Sequence, residues 1–143
     1  MSKDDDLDEF VKNLQEKIYE EEEETYSAKV ISEYRNPTNF GIIEKPSATG
    51  RVKGPCGDTM RIDLLIKNDI IVDARFWTDG CGATLACGNF LMKLIKGKKV
   101  QDAENITSEM LLDKLGGLPE EHIHCTVLSV DALQLCIKNF HKL

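Results

Sequence analysis

The chain has 143 residues, a net charge of −7, five cysteines, 41% hydrophobic and 30% charged residues. Those totals suit one globular domain with its own core, and they argue against a basic nucleic-acid-binding stripe or an apolar run long enough to span a bilayer. The acidic N-terminus lacks the apolar stretch of a signal peptide and the cysteine count is odd, so a cytoplasmic location with reduced or metal-bound thiols is expected rather than a disulfide framework.

The charge is uneven. Residues 1–24 carry eleven acids and three bases, while residues 25–143 carry fourteen acids and fifteen bases. Residues 4–24 read as an amphipathic helix, because Leu7, Phe10, Val11, Leu14 and Ile18 recur at helical spacing on an otherwise charged surface. The run Glu20 to Glu24 repels itself and is expected to mark a hinge or a frayed end. A second helix is predicted from Tyr26 to about Tyr34, stopped by Pro37. Residues 41–55, with three glycines and two prolines, read as an edge strand followed by a loop.

Period-two alternation follows. Met60, Ile62, Leu64 and Ile66 share one face, Asn68-Asp69 supplies turn chemistry, and Ile70, Val72, Ala74 and Phe76 alternate with Asp73, Arg75 and Trp77. The pattern predicts an antiparallel hairpin with one face on a core. Ala83, Ala86, Cys87, Phe90, Leu91, Leu94 and Ile95 then repeat at three and four, and Gly97 ends that helix. Lys96, Lys98 and Lys99 read as its solvated end. Thr107 or Ser108 caps a short helix through Leu115, closed by Gly116-Gly117 and Pro119. A last helix begins between Glu121 and Cys125 and runs to about Phe140.

Three cysteines stand at separate stations: Pro55-Cys56-Gly57-Asp58, Gly80-Cys81-Gly82-Ala83 and His124-Cys125. Thiolate is the natural ligand of iron–sulfur clusters and zinc, and carboxylate or imidazole can complete a four-ligand set. Cys56 and Asp58, two apart, can emerge on one side of an extended chain. Cys81 sits between glycines at a strand-to-helix junction, where a helix N-terminus favours thiolate. His124 and Cys125 lie about 100° apart on a helix, poorly set as nucleophile and base, yet both can reach a site beyond the helix end. Cys87 and Cys136 read as small core residues, although Cys87 adds a thiol near the site region. His122 reads as a structural residue and His141 as part of a frayed terminus.

The ordered set Tyr26-Ser27 to Asn36-Pro37 with Gly41, Gly54-Pro55-Cys56-Gly57-Asp58-Thr59-Met60, Asp79-Gly80-Cys81-Gly82-Ala83, Lys96-Gly97-Lys98 and His124-Cys125 resembles the scaffold proteins of iron–sulfur cluster assembly, the family of IscU and the NifU N-terminal domain. The resemblance spans about residues 25–143, leaving 1–24 as an acidic helical extension. It implies an α+β fold, with a three-stranded antiparallel sheet and helices packed on one face. It implies a scaffold or carrier that accepts persulfide sulfur from a cysteine desulfurase, binds iron, and passes a [2Fe-2S] cluster to recipient apo iron–sulfur proteins. Cys56, Cys81 and Cys125 would be cluster ligands, Cys125 the persulfide acceptor, Asp58 the ligand that governs release, and His124 an accessory ligand. Zinc would suit the same set without a cluster, and a homodimer sharing one cluster stays open. The segment Leu118-Pro119-Glu120-Glu121-His122-Ile123 departs from the family's Leu-Pro-Pro-Val-Lys pattern, so hand-off through an Hsp70-type chaperone is not implied. Two other functions remain in view: a zinc-dependent persulfide sulfur transferase, and a structural zinc-binding interaction module.

Overall fold

The structure, a computed structural model, describes residues 3–142, with side chains of residues 3–5 and 22 left aside. Its elements are α1 (Lys3–Thr25), α2 (Ala28–Arg35), β1 (Ala48–Lys53), β2 (Thr59–Lys67), β3 (Ile70–Thr78), α3 (Gly82–Ile95), α4 (Val100–Glu104), α5 (Ser108–Lys114) and α6 (His124–His141). A 3₁₀ turn over Glu120–His122 leads into α6.

The sheet is antiparallel throughout, in the order β1-β2-β3. Asn68 and Asp69 both adopt left-handed backbone, at φ 53° and 63°, which gives the tight β2–β3 turn its twist. Met60, Ile62, Leu64, Ala74 and Phe76 are fully buried on one face. Helices α3 and α6 cover that face, so the expected α+β architecture is the one found.

The alternation predicted for β3 fails at its start. Ile71 is fully buried while Val72 is exposed, because the register slips: Leu65 pairs with Asp73, and Ile66 pairs with Ile71. Val72 is the extra residue of a β-bulge, and the bulge turns its neighbours over. The first strand is also shorter than the stretch assigned to it. Residues 41–47 precede it as a loop laid on the outer face, held by Gly41 N–H to Phe76 O (2.7 Å) and Ile43 N–H to the Asp63 carboxylate (3.0 Å).

The run Glu20 to Glu24, expected to mark a hinge or a frayed end, is helical and lies at the end of α1, which stops at Thr25, whose hydroxyl donates to Glu21 O at 2.9 Å. Glutamate's own helix propensity outweighs screened repulsion between exposed side chains. The apolar stripe of α1, from Leu7 through Ile18, is exposed, and α1 meets the domain at α2, where Arg35 lies over the Tyr19 ring at 4.1 Å. Helix α2 starts two residues later than predicted, at Ala28 after the Ser27 N-cap, whose hydroxyl accepts from Val30 N–H. Lys96 is not simply solvated, since its ammonium reaches Asp73 at 3.3 Å and the Asn39 side chain. His141 is held as well, paired with Glu104. Helix α4 escaped the periodicity reading because a single turn with two buried residues, Val100 and Ala103, carries too little pattern.

The tightest packing joins β1 to α6. A Cβ placed on Gly50 would lie 2.5 Å from both Ala132 O and Cys136 N. Four residues along the strand, a Cβ on Gly54 would lie 3.4 Å from Leu128 Cδ1. Strand and helix therefore run side by side with glycine at the closest point. Gly50→Ala is expected to cost about 2–3 kcal/mol of folding stability, since the obstacle is backbone and cannot rotate away. Urea unfolding measures this, and a loss under about 0.5 kcal/mol would mean that the helix can lift off the strand freely.

Candidate metal centre

Three connections deliver donors to one end of the sheet. The β1–β2 loop is closed by Gly54 N–H to Asp58 O (2.7 Å) and Gly57 N–H to Gly54 O (3.0 Å). Gly57 sits at φ +93°, which a side chain would strain. Cys56 and Asp58 thus emerge from a turn, not from extended chain as their spacing suggested. Cys81 is the N-cap residue of α3 and makes no capping bond with its side chain, so its sulfur is free to face the other donors. The approach to it is fixed by Thr59 N–H to the Asp79 carboxylate (2.8 Å) and Gly80 N–H to the Thr78 hydroxyl (3.1 Å). Gly80 is required there: a Cβ would meet Thr84 at 2.7 Å and Asp58 Oδ2 at 2.9 Å. His124 and Cys125 are the first two residues of α6.

The structure brings all five predicted donors together. Cys56 Sγ lies 3.1 Å from His124 Nε2, and Cys125 Sγ lies 3.8 Å from the same nitrogen. Being at the very start of the helix lets adjacent side chains converge beyond its end despite their angular offset. Thr84 sits in the middle, its hydroxyl 3.3 Å from Cys125 Sγ, 3.8 Å from Cys81 Sγ and 3.5 Å from Asp58 Oδ2. Sequence reasoning did not pick out Thr84; its position three residues past Cys81, on the same face of the first helical turn, is the signal.

His122, read from the sequence as a structural residue, lies beside the thiols. Its Nδ1 is 4.0 Å from Cys81 Sγ, and its ring packs against Tyr26 with centroids 5.9 Å apart. It closes the 3₁₀ turn that leads into α6, three residues before Cys125, and that connection lays its ring beside the thiols. The donor atoms of Cys81, His122 and Cys125 lie within 4.8 Å of one another, as do those of Cys56, Asp58 and His124.

Exposure grades across the centre. Cys56 and Cys81 are exposed, whereas Cys125 is closed off at 0%. Burial pushes the Cys125 thiol up to about 11; the Thr84 hydrogen bond opposes this, and charge on Cys81, Asp58 and Cys56 adds to it. Cys87 lies behind, fully buried, with its thiol raised well above the ordinary range by burial first and by Cys125 and Cys81 next. Cys136 is a core thiol pushed to about 12 by burial, with Asp63 adding to the rise. Both therefore sit in the core, as expected.

The donor set suits a borderline or soft cation. Thiolates, imidazoles and one carboxylate are the ligands of zinc and iron, and clustered anions need a cation to offset their repulsion. No helix among the described residues is long and apolar enough to cross a membrane.

Comparison with known proteins agrees with this geometry. The family model described as NifU-like N terminal domain matches residues 25–143. The iron–sulfur cluster assembly scaffold protein IscU of Aquifex aeolicus (strain VF5) is 39% identical over 118 residues, covering 80% of this chain and 75% of that protein. The iron sulfur cluster assembly protein 1 of Trachipleistophora hominis is 36% identical over 126 residues, covering 85% of this chain and 91% of that protein. The crystal structure of the N-terminal part of a nitrogen-fixing NifU-like protein from Brucella abortus shares the fold, with a TM-score of 0.63, 18% identity, and coverage of 81% and 94% of the two chains.

The raised Cys125 thiol makes metal binding compete with protons. Below about pH 11 that thiol is protonated in the folded chain, so a metal ion must displace the proton to gain the sulfur. Zinc affinity is expected to climb between pH 6 and 9, by about tenfold per pH unit for each proton released. Chelator-competition titrations across that range measure the slope, and Cys125→Ser should flatten it. An affinity independent of pH would contradict the protonated resting state.

Proposed function

The chain belongs to the NifU-like N terminal domain family, and from that premise we propose that it is a scaffold on which [2Fe-2S] clusters are assembled and from which they are transferred. Residues 25–143 form the scaffold unit in this reading, and residues 1–24 are an appended acidic helix. The observation that carries it is the convergence of three sulfurs from the β1–β2 loop, the α3 N-terminus and the α6 N-terminus, with Asp58 and His124 beside them.

Iron and sulfur are the cargo. Cys56, Cys81 and Cys125 serve as the thiolate ligands, with His124 as accessory nitrogen. Asp58 offers a hard oxygen in a soft set, so it holds iron less firmly than a fourth thiolate would and sets the ease of release. Sulfur arrives as persulfide from a cysteine desulfurase. The Cys125 thiol gives up its proton as its sulfur attacks the terminal sulfur, the desulfurase thiolate leaves and takes up a proton, and two electrons from an external reductant convert the carried sulfur to sulfide. Because Cys125 is buried, this transfer requires the Cys56 turn to swing aside, and Gly54 and Gly57 in that turn supply the freedom to do so. Recipient apo iron–sulfur proteins take the finished cluster. The chain acts as a carrier in this scheme, with zinc as a substitute occupant of the cluster-free site.

Anaerobic incubation with ferrous iron and sulfide tests the reading by visible absorption and Mössbauer spectroscopy. Charge-transfer bands and two antiferromagnetically coupled ferric sites are expected. A chain that stays colourless yet carries persulfide would instead be a zinc-dependent sulfur transferase. Asp58→Ala should lengthen the life of the assembled cluster several-fold against chelator challenge, and a shortened life would remove Asp58 from the role of labile ligand. Cys125→Ser should abolish sulfur loading from a desulfurase, read by persulfide-specific alkylation; undiminished loading would reassign the acceptor.

A further inference from the structure

The donors around the pocket do not form one uniform ring. They divide into two triads, Cys56–Asp58–His124 and Cys81–His122–Cys125, each with its donor atoms within 4.8 Å of one another. A tetrahedral zinc-type ion with bonds of about 2.3 Å to sulfur and about 2.0–2.1 Å to nitrogen needs its ligand atoms about 3.6–3.8 Å apart. The 4.0 Å between Cys81 Sγ and His122 Nδ1 is already near that separation.

Resting on the scaffold reading of this pocket, we propose that His122 completes a second metal position, so that the chain binds two divalent ions side by side in the absence of sulfide. Cys81, Cys125 and His122 hold one; Cys56, Asp58 and His124 hold the other. Charge supports the division. Four donors are anionic when bound, namely Cys56, Asp58, Cys81 and Cys125. One divalent ion leaves two of those negative charges uncompensated at close range, and two ions neutralise the set, two anions to each. Chemistry supports it too. The first position has two sulfurs and a nitrogen and selects a soft or borderline ion such as zinc or ferrous iron, while the second has one of each donor type and is harder. Without His122 the first position has only two ligands and cannot retain an ion on its own. The Tyr26 ring against the imidazole limits its rotation and keeps Nδ1 toward Cys81. Each ion keeps an open coordination place, which is where incoming sulfur would attach.

Anaerobic, sulfide-free titration with cobalt(II) tests this, read by equilibrium dialysis and by the thiolate-to-cobalt and d–d absorption bands. The wild-type chain should take two cobalt ions. His122→Phe preserves a ring against Tyr26 but removes the donor, and it should take one ion, with loss of the two-sulfur component of the charge-transfer band. His122→Cys should restore the second ion. A single cobalt in the wild type, or two in His122→Phe, overturns the proposal. Cluster formation is scored separately with iron and sulfide. A wild-type chain that takes two cobalt ions and assembles no cluster upholds this position and sinks the scaffold reading. One that assembles a cluster but takes a single cobalt does the reverse.

Discussion

The close approach of β1 to α6 sets two of the three arms of the candidate metal centre. Gly50 removes the side chain that would hold the helix backbone away from the strand, so Ala132 and Cys136 lie directly on it. From that contact, strand and helix travel together: Gly54, four residues on, meets Leu128. That is about 13 Å of chain against about 6 Å of helix counted from Ala132 and about 12 Å counted from Cys136, so strand and helix run toward the same end of the sheet. That common direction brings the β1–β2 loop to the N-terminus of α6, where Cys56 meets His124 at 3.1 Å although 68 residues separate them.

The third arm reaches the same level by a different route. Strand β3 lies at the far edge of the sheet from β1, yet its end is tied to the start of β2 by Thr59 N–H to Asp79 and Thr78 hydroxyl to Thr59 O. Helix α3 then packs closely on the sheet, with Gly88 admitting the Phe76 ring where a Cβ would stand 2.4 Å from it. Two helices laid on one sheet face at two glycines thus aim their N-termini at a common loop. Helix dipoles of both favour negative charge there, which suits thiolates. The Thr84 hydroxyl is in contact with donors from all three arms.

Much of this was legible in the residues themselves. Alternation over Met60–Leu64 and Ala74–Phe76, the Asn68-Asp69 turn and the long helical repeats announced the sheet and the helices above it. Ordered cysteine stations announced the donors. What stayed hidden was whatever depends on a local break in periodicity. A bulge at Val72 reverses the facing of residues that composition alone cannot distinguish. A one-turn helix such as α4 has no period to detect. His122 was passed over for a different reason: a lone histidine gives no spacing to read, and only the fold brings it within 4.0 Å of Cys81. Gly50 and Gly88 carried no signal either, because a glycine needed for close packing looks the same in sequence as one needed for a turn.

Five cysteines of one chain illustrate how position divides a single chemistry. Cys136 and Cys87 are surrounded by apolar side chains, and burial raises their thiols so far that they act as small hydrophobes. Cys125 is equally shielded from water, yet it borders imidazole and hydroxyl groups, so a cation arriving from the exposed side can replace its proton. Cys56 and Cys81 are exposed, the first on the β1–β2 turn and the second between two glycines at the start of α3. A closed structural site would bury all its sulfurs on rigid elements with no coordination place left over. Here two sulfurs are anchored at the starts of helices packed on the sheet, while one, Cys56, stands on an exposed turn. An arrangement with two fixed thiolates and one that yields can close around its cargo and reopen to surrender it, which a permanently sealed metal site cannot do.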